Sequence, residues 1–317
     1  MPRCYDSWPS MVIVYSPRCL DYGAARHPES PERVRSAVTQ LQKEFHTWVT
    51  PTPCTDEDIL RVHTRELLDA VRTGAFADAD TPFFPEIFEI AKLSAGAAVL
   101  AAEHALAGRP AFSLMRPPGH HAERNRVMGF CYFNNLAIAI AKVVQIRNPK
   151  SEAESARHAE QIRNRRVAIL DFDCHHGNGT EDIFRGNKQV LFASLHQSPC
   201  YPGTGLASAG NCLNYPLPPG TGPEQFLATL DEAIGRIRDF TPELLAVSAG
   251  FDAYKNDPIT HMGLETDTFC EIGRRIADLT RPAPNAPALP CFAVLEGGYS
   301  SEFARCVDAF VAGWERH

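Results

Sequence analysis

The sequence predicts an α/β protein with a central, mainly parallel sheet and helices on both faces. Two observations predict this class. Short runs of Val, Ile, Leu and Phe alternate with longer segments in which apolar residues recur every three or four positions. The short runs are continuously apolar, and strands of that kind must be buried on both faces of a sheet. We therefore expect strands and helices to alternate along the chain.

Six apolar runs are predicted to be strands, and four amphipathic segments are predicted to be helices. The strands are MVIVYS (11–16), AFSLM (111–115), VAILDFD (167–173), VLFASLH (190–196), LLAVSAG (244–250) and CFAVLEGG (291–298). The helices are PERVRSAVTQLQKEF (31–45), PEIFEIAKLSAGAAVLAAEHAL (85–106), NNLAIAIAKVVQIR (134–147) and PEQFLATLDEAIGRIRDF (223–240). Three of the helical segments begin with Pro-Glu, a pair that is favoured in the first turn of a helix.

The remaining segments are predicted to be loops or surface connections. The polar stretch 147–166 is expected to be a solvated connection or a surface helix. The Pro-rich segments 215–225 and 281–290 are expected to be loops. No segment has the composition of an interdomain linker. We therefore expect one domain over residues 1–317, with residues 1–10 as a loose N-terminal extension.

The composition is that of a globular protein, with 44% apolar and 22% charged residues among 317. A formal net charge of -7, without a block of Lys or Arg, gives no electrostatic footprint for nucleic acid. The apolar run that ends at Tyr15 is too short for a secretory leader or a membrane span. We expect a cytoplasmic protein that binds neither nucleic acid nor membrane.

Ten cysteines are scattered along the chain without a CxxC motif. A chain of this length can stabilise itself by burying a core, so it does not depend on disulfides. We expect buried free thiols.

Polar residues concentrate where five of the predicted strands end. The segments are MRPPGHH, DFDCHHGNG, SLHQ, SAGFDAY and EGGYS. In open parallel sheets, ligands bind just beyond the carboxyl ends of the strands, because loops and helix N-termini converge there. The sequence therefore predicts a functional site at this edge of the sheet.

A metal site is predicted within this group. Asp171, Asp173 and His175 alternate along an extended segment, so their side chains share one side while Phe172 points to the other. Buried carboxylates are costly unless they are paired or bind a metal, and Asp252 at another strand end offers a third ligand. Two carboxylates and one imidazole suit zinc, iron(II) or another transition metal. Singly, each is equally well explained as a structural group; together they indicate a metal.

Two histidines and a tyrosine are candidates for catalysis. His120 and His121 follow Arg-Pro-Pro-Gly, a sequence that turns the chain sharply, so both rings can reach one cavity. A histidine there is suited to accept a proton from water and to return it to a leaving group. The glycines of EGGYS allow the backbone to approach a ligand and direct Tyr299 into the cleft. Its phenol can donate a hydrogen bond to a developing oxyanion.

The motifs resemble those of a known family when they are taken in order. HPESPERV, VHT, RPPGHHA, GFCYFNN, LDFDCHHGNGTEDIF, SLHQ, YPGTG, SAGFDA, DP and LEGGY resemble the metal-dependent histone deacetylase family over residues 11–311. The similarity is greatest to class II and bacterial members, which include acetylpolyamine amidohydrolases. It implies one α/β domain of the arginase/deacetylase type with a sheet of about eight strands. It also implies hydrolysis of an amide such as N-acetyl-lysine to amine and acetate.

The resemblance implies two ion sites. Asp173, His175 and Asp252 match the ligands of the catalytic zinc, which polarises the substrate carbonyl and a water. Fe²⁺ or another divalent metal would suit the same ligands. The residues that match the family's structural potassium site are Asp171, Asp173, His175, Ser194 and Leu195.

The resemblance also assigns catalytic and orienting roles. His121 resembles the general base, His120 its partner in electrostatic and proton-transfer work, and Tyr299 the residue that stabilises the tetrahedral oxyanion. Asp171 is expected to orient His120, and Asn178 to orient His121, because catalytic rings need hydrogen-bond partners. Class I relatives have an acid where Asn178 stands, so the amide fits the class II pattern.

Four further residues match the substrate tunnel. The carbonyl of Gly129 is expected to accept the substrate amide N–H. Phe130 and Tyr201 are expected to flank the lysine stem, although the position of Tyr201 is usually Phe. Asp80 matches the rim position that holds the substrate backbone. His176, next to a proposed ligand, has no implied catalytic role and is assigned to packing or loop hydrogen bonding.

The substrate remains open at this point. Polyamine-acting relatives tend to have an acid at the tunnel mouth, and the corresponding position here is Ile259, which favours an acylated lysine peptide or protein. Asp80 or Asp257 could still meet an acetylated small amine with a distal cation. Three alternatives remain: an acetylpolyamine amidohydrolase, a two-metal ureohydrolase of the arginase pattern, and a non-catalytic acyl-lysine binding module. The paired histidines and Tyr299 disfavour the second, and the complete ligand set disfavours the third. A homo-oligomer remains open.

Overall fold

The computed structural model describes residues 10–144, 165–281 and 287–315, and it confirms the predicted α/β class. Its strands are β1 (Val12–Val14), β2 (Thr47–Val49), β3 (Ala111–Ser113), β4 (Val167–Asp171), β5 (Val190–Gln197), β6 (Cys212–Leu217), β7 (Leu244–Ala249) and β8 (Cys291–Leu295). They form one sheet in the order β2-β1-β3-β8-β7-β4-β5-β6, and each neighbouring pair is parallel. The sheet of about eight strands implied by the family resemblance is confirmed.

The helices follow the predicted alternation in part. They are α1 (Pro31–Leu41), α2 (Asp56–Ile59), α3 (Arg65–Thr73), α4 (Ile87–Leu106), α5 (Asn135–Val143), α6 (Asn178–Phe184), α7 (Pro223–Phe240), α8 (Thr266–Thr280) and α9 (Phe303–Glu315), with a 3-10 turn at Pro17–Leu20. Among them, α2, α3 and α4 follow one another, and β5 leads to β6 without a helix between them. Every residue of the central strands β4, β7 and β8 is buried, so both faces of the sheet are covered. Of the helices in the described ranges, none is both long and apolar enough to cross a bilayer.

All six predicted strands and all four predicted helices are found, but two strands and the five helices α2, α3, α6, α8 and α9 were missed. β2 has three residues and is only half-buried, so it lacks the apolar run that marks a buried strand. β6 was wrongly assigned in part to a loop over 215–217, because the half-buried Tyr215 and the exposed Pro216 interrupt its apolar pattern. Both lie at the ends of the sheet, where a proline is tolerated because one side of the strand is unpaired.

Some predictions fall outside the described residues. Most of the expected connection 147–166 and the proposed N-terminal extension up to residue 9 lie there, and the extent of the domain over 1–317 stays a prediction. Among the described residues nine cysteines are free, which agrees with the absence of a disulfide framework. Seven are buried as predicted, whereas Cys200 and Cys270 are partly exposed.

The fold brings the polar motifs to one edge of the sheet. Because the strands are parallel, their carboxyl ends lie side by side. The loops after β3, β4, β7 and β8 carry His120, Asp173, Asp252 and Tyr299, respectively. The predicted position of the site follows directly from this topology.

Candidate active site

A cavity of about 410 Å³ opens at the carboxyl edge of the sheet. The predicted site residues that line it are His120, His121, Asp173, His175, Gly129, Phe130, Tyr201, Asp80 and Tyr299. Of the other predicted residues, Asp171, Asn178 and Asp252 contact lining residues, whereas Ser194 and Leu195 lie on β5. The structure thus brings together side chains from five separate strand ends.

The three predicted metal ligands converge at the bottom of this cavity. One ligand atom from each of Asp173, His175 and Asp252 lies within 4.8 Å of the others. His175 Nδ1 is 2.8 Å from Asp252 Oδ2 and 3.2 Å from Asp173 Oδ1. Burial opposes ionisation of Asp173, but His120 and His175 outweigh it and lower its pKa, whereas burial and Asp173 raise the pKa of Asp252. Such crowded buried acids are suited to a cation.

The hydrogen bonds of the two carboxylates fit a metal at this point. Asp173 Oδ2 accepts the Gly297 N–H at 2.7 Å, and Asp252 Oδ1 accepts the Cys174 N–H at 2.8 Å. Asp252 Oδ2 is buried and has no hydrogen-bond partner of acceptable geometry among the described residues, although His175 lies near. A buried carboxylate oxygen without a donor is costly unless a cation occupies that position. The donor set of two carboxylates and one imidazole therefore fits a catalytic divalent metal.

Two glycines give these carboxylates room. A Cβ atom at Gly250 would lie 2.1 Å from Asp173 Oδ2. A Cβ atom at Gly297 would lie 2.6 Å from both Asp173 Oδ2 and Asp252 Oδ2. The missing side chains at Gly250 and Gly297 thus leave the space that the acids occupy.

His120 is paired with a buried acid. Its Nδ1 is 3.1 Å from Asp171 Oδ2, and its Nε2 is 3.7 Å from Asp173 Oδ1. Burial disfavours a charged ring, but Asp173 and Asp171 outweigh burial and raise the pKa of His120 to about 10. The backbone N–H groups of Gly119 and His120 both donate to Glu296 Oε2, which fixes the bend before the ring.

His121 is paired with a neutral amide. Its Nδ1 is 2.7 Å from Asn178 Oδ1, and its ring centre is 4.0 Å from that of His120. Burial together with the positive charges of His120 and His175 lowers the pKa of His121 well below its usual value. Asn178 begins α6, whose Gly179 N–H donates to the His120 carbonyl, so this helix is anchored to the backbone of the histidine pair.

Tyr299 lies on another wall of the same cavity. Its ring packs edge-on against Phe130, and the guanidinium of Arg33 lies 4.6 Å from its centre. Its backbone N–H donates to Asp257 Oδ2 at 2.7 Å, while Asp257 Oδ1 accepts the N–H of Ile259 at 3.1 Å. Asp257 is buried and uses both carboxylate oxygens in this way. It is also absent from the lining of the cavity, which argues against the expectation that it meets a cationic substrate.

The predicted tunnel residues surround the entrance. Gly129 and Phe130 both have positive φ, at 58° and 67°, and Thr81 Oγ1 accepts the Phe130 N–H at 2.8 Å. The carbonyl of Gly129 accepts a bond from the Cys131 thiol and retains a second lone pair. Tyr201 lies edge-on to His121 and remains 38% exposed, so its ring forms the outer wall.

The rim carries an exposed acid and an apolar residue. The Asp80 side chain is exposed, while its carbonyl contacts His27 Nε2 at 3.1 Å. The His27 ring also packs against Phe130, with ring centres 4.7 Å apart. Ile259 also lines the cavity, where it presents an apolar side chain. His27 belongs to the HPESPERV motif, but the sequence alone did not indicate that it reaches the cavity.

The residues proposed for potassium lie on β4 and β5 and on the segment that follows β4, which carries Asp173 and His175. Asp171 on β4 pairs in register with Ser194 on β5, and Leu195 follows. Asp171 Oδ1 accepts the Asp173 N–H at 3.1 Å, so the segment turns back around this carboxylate. On the opposite side, Phe172 packs against Phe251 and Phe310, as the predicted alternation requires.

His176 has a hydrogen-bonding role, as predicted. Its Nδ1 is 2.8 Å from Thr204 Oγ1, and its Nε2 is 3.1 Å from Glu181 Oε2. The neighbouring ring of His196 contacts the Gly205 carbonyl at 3.0 Å. These contacts hold the loop that carries Tyr201. The sequence did not reveal the roles of two further residues at the site. Glu296, quoted within LEGGY without a role, accepts the N–H groups of Gly119 and His120. Cys200, expected to be a buried thiol, lines the cavity.

Comparisons with known proteins agree with this arrangement. The family described as histone deacetylase domain matches residues 27–314. A probable deacetylase of Methanothermobacter thermautotrophicus is 39% identical over 321 residues, covering 96% of this chain and 90% of that protein. A histone deacetylase-like amidohydrolase of Pseudomonas aeruginosa is 39% identical over 305 residues, covering 88% of this chain and 74% of that protein. The crystal structure of acetylpolyamine aminohydrolase from Burkholderia pseudomallei matches with a TM-score of 0.82 and 28% sequence identity. The match covers 97% of this chain and 99% of that one.

Proposed function

Because the chain belongs to the histone deacetylase family and is a deacetylase of that hydrolytic class, we propose that it removes acetyl groups from lysine side chains of peptides or proteins, with zinc as its metal. One observation carries this proposal. The converged group of Asp173, His175 and Asp252 shares its cavity with two differently partnered histidines and with Tyr299. A metal site with a base and an oxyanion donor beside it is suited to amide hydrolysis.

The proposed reaction adds water to the acyl carbon and breaks the C–N bond, giving acetate and a free amine. Zinc held by the three ligands would polarise the carbonyl and lower the pKa of a water. His121 is held neutral, so it can accept a proton from water and return it to the leaving nitrogen. His120 keeps its proton beside Asp171 and supplies positive charge where negative charge develops.

Other residues of the cavity orient the substrate. Tyr299 would donate a hydrogen bond to the developing oxyanion. The second lone pair of the Gly129 carbonyl would accept the substrate amide N–H. Phe130 and Tyr201 would flank the methylenes of the lysine stem, which is apolar along its length. The exposed Asp80 would hold the substrate backbone at the rim.

Potassium is part of the same proposal. Asp171, Asp173 and His175, with Ser194 and Leu195 on the neighbouring strand, would contribute oxygen atoms, several of them from the backbone. Carboxylate and carbonyl oxygens suit a hard cation of this kind. Such a cation would stiffen the segment that carries two of the zinc ligands. Cytoplasmic location and the possibility of a homo-oligomer stay predictions from the sequence.

An acetylpolyamine amidohydrolase is the second candidate. The similarity to the Burkholderia aminohydrolase over 97% of this chain favours it. The exposed Asp80 could meet a distal ammonium group. Against it stand the apolar Ile259 in the cavity lining and the burial of Asp257, which accepts two backbone N–H groups and does not line the cavity. A non-catalytic acyl-lysine binding module is disfavoured, because each proposed ligand, both histidines and Tyr299 are in place.

The test is acetate release from an acetyl-lysine peptide by zinc-loaded protein, beside kcat/KM on acetylspermidine. We expect turnover with a preference for the peptide; the opposite preference would favour the second candidate. Asp252→Ala should lower both metal occupancy and turnover, whereas Asp239→Ala, an exposed acid on α7, should change neither. A folded protein that binds the peptide without cleaving it under zinc, iron(II) and cobalt would contradict the proposal.

A further inference from the structure

Glu123 lies outside the cavity but contacts the residue that orients His121. It follows His121 by two positions and is half-buried. Its backbone is fixed on both sides, because its N–H donates to the Arg126 carbonyl at 3.0 Å and its carbonyl contacts His63 Nδ1 at 3.0 Å. One oxygen of its side chain, Oε1, lies 2.8 Å from Asn178 Nδ2. Nothing in the sequence motifs assigns this contact.

The amide of Asn178 therefore lies between a carboxylate and an imidazole. Its nitrogen donates to Glu123 Oε1, and its oxygen is 2.7 Å from His121 Nδ1. An amide NH₂ group can only donate and an amide oxygen can only accept, while a carboxylate can only accept. Because Glu123 requires the NH₂ group on its side, the oxygen must face His121.

This orientation fixes the proton on the ring. An oxygen opposite Nδ1 can be satisfied only if Nδ1 donates, so the proton of neutral His121 lies on Nδ1. The other nitrogen, Nε2, then has the lone pair that a general base needs. The reversed amide would present NH₂ to Nδ1, draw the lone pair to that nitrogen and leave the proton on Nε2.

We propose that Glu123 is a positioning residue that sets the amide orientation of Asn178 and, through it, the tautomer of His121. The other groups near Asn178 Nδ2 are weaker acceptors or too distant to do this. Met128 Sδ at 3.2 Å is a thioether, and the His121 carbonyl lies at 3.5 Å. On the other side, Asp171 contacts His120 directly and needs no intermediary.

The kinetic test rests on the proposed function and compares two acids of the same region. Glu123→Ala should lower kcat by roughly 10–100-fold, as losses of outer-shell partners do, with KM little changed. Glu123→Gln retains an oxygen that can accept from Asn178, so it should restore most of the loss. Asp182→Ala is the matched control: its carboxylate anchors the same loop by accepting the Arg124 N–H at 2.9 Å, and it is not among the acceptors around Asn178 Nδ2 in the described part of the chain. It should leave kcat unchanged.

A spectroscopic test does not depend on turnover. Ring ¹⁵N shifts of the zinc-loaded full chain, assigned with His121→Ala, report which nitrogen carries the proton. We expect the Nδ1–H form of His121 in the wild type and in Asp182→Ala, and a mixture that includes Nε2–H in Glu123→Ala. Unchanged shifts in Glu123→Ala would overturn the inference. So would an equal loss of kcat in Asp182→Ala, because that outcome means loop anchoring alone.

An exchange of groups tests the direction of the contact. Asn178→Asp places a carboxylate against Glu123, and like charges at this distance repel. Adding Glu123→Gln supplies a donor to the new acid, so the double variant should recover activity relative to Asn178→Asp. Additive losses would contradict the coupling. If the wild type itself lacks turnover, the proposed function fails while the ring ¹⁵N measurement still decides this inference.

Discussion

His120 and His121 are neighbours in sequence and share one cavity, but their surroundings favour a protonated ring at His120 and a neutral ring at His121. On the His120 side, the carboxylates of Asp173 and Asp171 outweigh burial and raise the pKa of the ring to about 10. On the His121 side, the partner is the neutral amide of Asn178, and burial and nearby positive charge lower the pKa. The hydrogen-bond partner of Nδ1 also differs between the two rings: it is a carboxylate, Asp171, for His120 and an amide, Asn178, for His121.

The difference indicates how a pair of identical side chains acquires two roles. A ring that is already protonated cannot act as a base, but it stabilises negative charge. A ring held neutral can accept a proton during the reaction. The structure therefore favours His121 over His120 as the proposed base, on electrostatic grounds that are independent of the family resemblance.

The largest loss of turnover is expected when the neutral ring of the pair is removed. His121→Ala should lower kcat by roughly 10²–10⁴-fold, the usual contribution of a positioned general base. Metal content should be unchanged, because the three proposed ligands keep their contacts. Steady-state kinetics together with metal analysis checks this. A variant that retains near wild-type turnover would assign the base to another group.

Tyr299→Phe tests whether the two histidines act separately from the oxyanion donor. We expect a loss of roughly 10²–10³-fold in kcat, typical of a missing oxyanion-hole donor. Tyr299 contacts Phe130 rather than either histidine in the pairs described, so the ring ¹⁵N shifts of His120 and His121 should stay the same. Shifted histidine resonances would show that the hydroxyl also acts on the cavity floor.

Asp171→Asn would make the His120 side resemble the His121 side. The variant replaces the carboxylate at 3.1 Å from His120 Nδ1 with an amide, so the pKa of His120 should fall. We expect kcat to fall by roughly 10–100-fold, the range found for outer partners of catalytic groups. NMR titration of the ring, followed beside kcat, checks both effects. An unchanged pKa would mean that Asp173 alone sets the charge.

The smallest effect on turnover is expected at His63, which supports the His121 side from behind. Its Nε2 accepts the Asn134 N–H at 2.9 Å while Nδ1 contacts the Glu123 carbonyl. Burial lowers its pKa from 6.5 to about 4. The unfolded chain then binds the extra proton first, so this contribution to the free energy of unfolding is complete above pH 6.5 and is lost as pH falls toward 4.

The loss amounts to about 3 kcal/mol at most, from the difference between the folded and unfolded pKa values. Urea unfolding between these pH values, compared with His63→Gln, isolates it from other histidines. The variant should show a flatter dependence on pH, and kcat at neutral pH should not depend on His63 protonation. If the free energy of unfolding depended on pH equally in the wild type and in His63→Gln, His63 would not be the cause of that dependence.

The sequence was most informative where side-chain type and strand position agree. Asp173, His175 and Asp252 follow buried strands, so the topology alone brings them to one edge. The missed strands β2 and β6 lie at the ends of the sheet, where burial is incomplete and the apolar pattern fades. Their pairing partners, rather than their own residues, determine that they are strands.

The rest of the site depends on contacts between loops, which no local pattern records. Asp257 looked available to a substrate, but the backbone of Tyr299, 42 positions away, uses one of its oxygens. Glu123 was not singled out by any sequence pattern, and its significance depends on Asn178, 55 positions away. Such pairings follow from how the chain folds back on itself, so they require the structure.

Gly250 and Gly297 have a consequence for how this site tolerates sequence change. A methyl group at either position would collide with a carboxylate oxygen of a proposed ligand, at 2.1 Å and 2.6 Å. In a saturation mutagenesis screen, both positions should therefore be as intolerant as the ligands, although neither offers a functional group. Intolerance to substitution would then mark the residues that perform the chemistry and also the glycines that leave space for them.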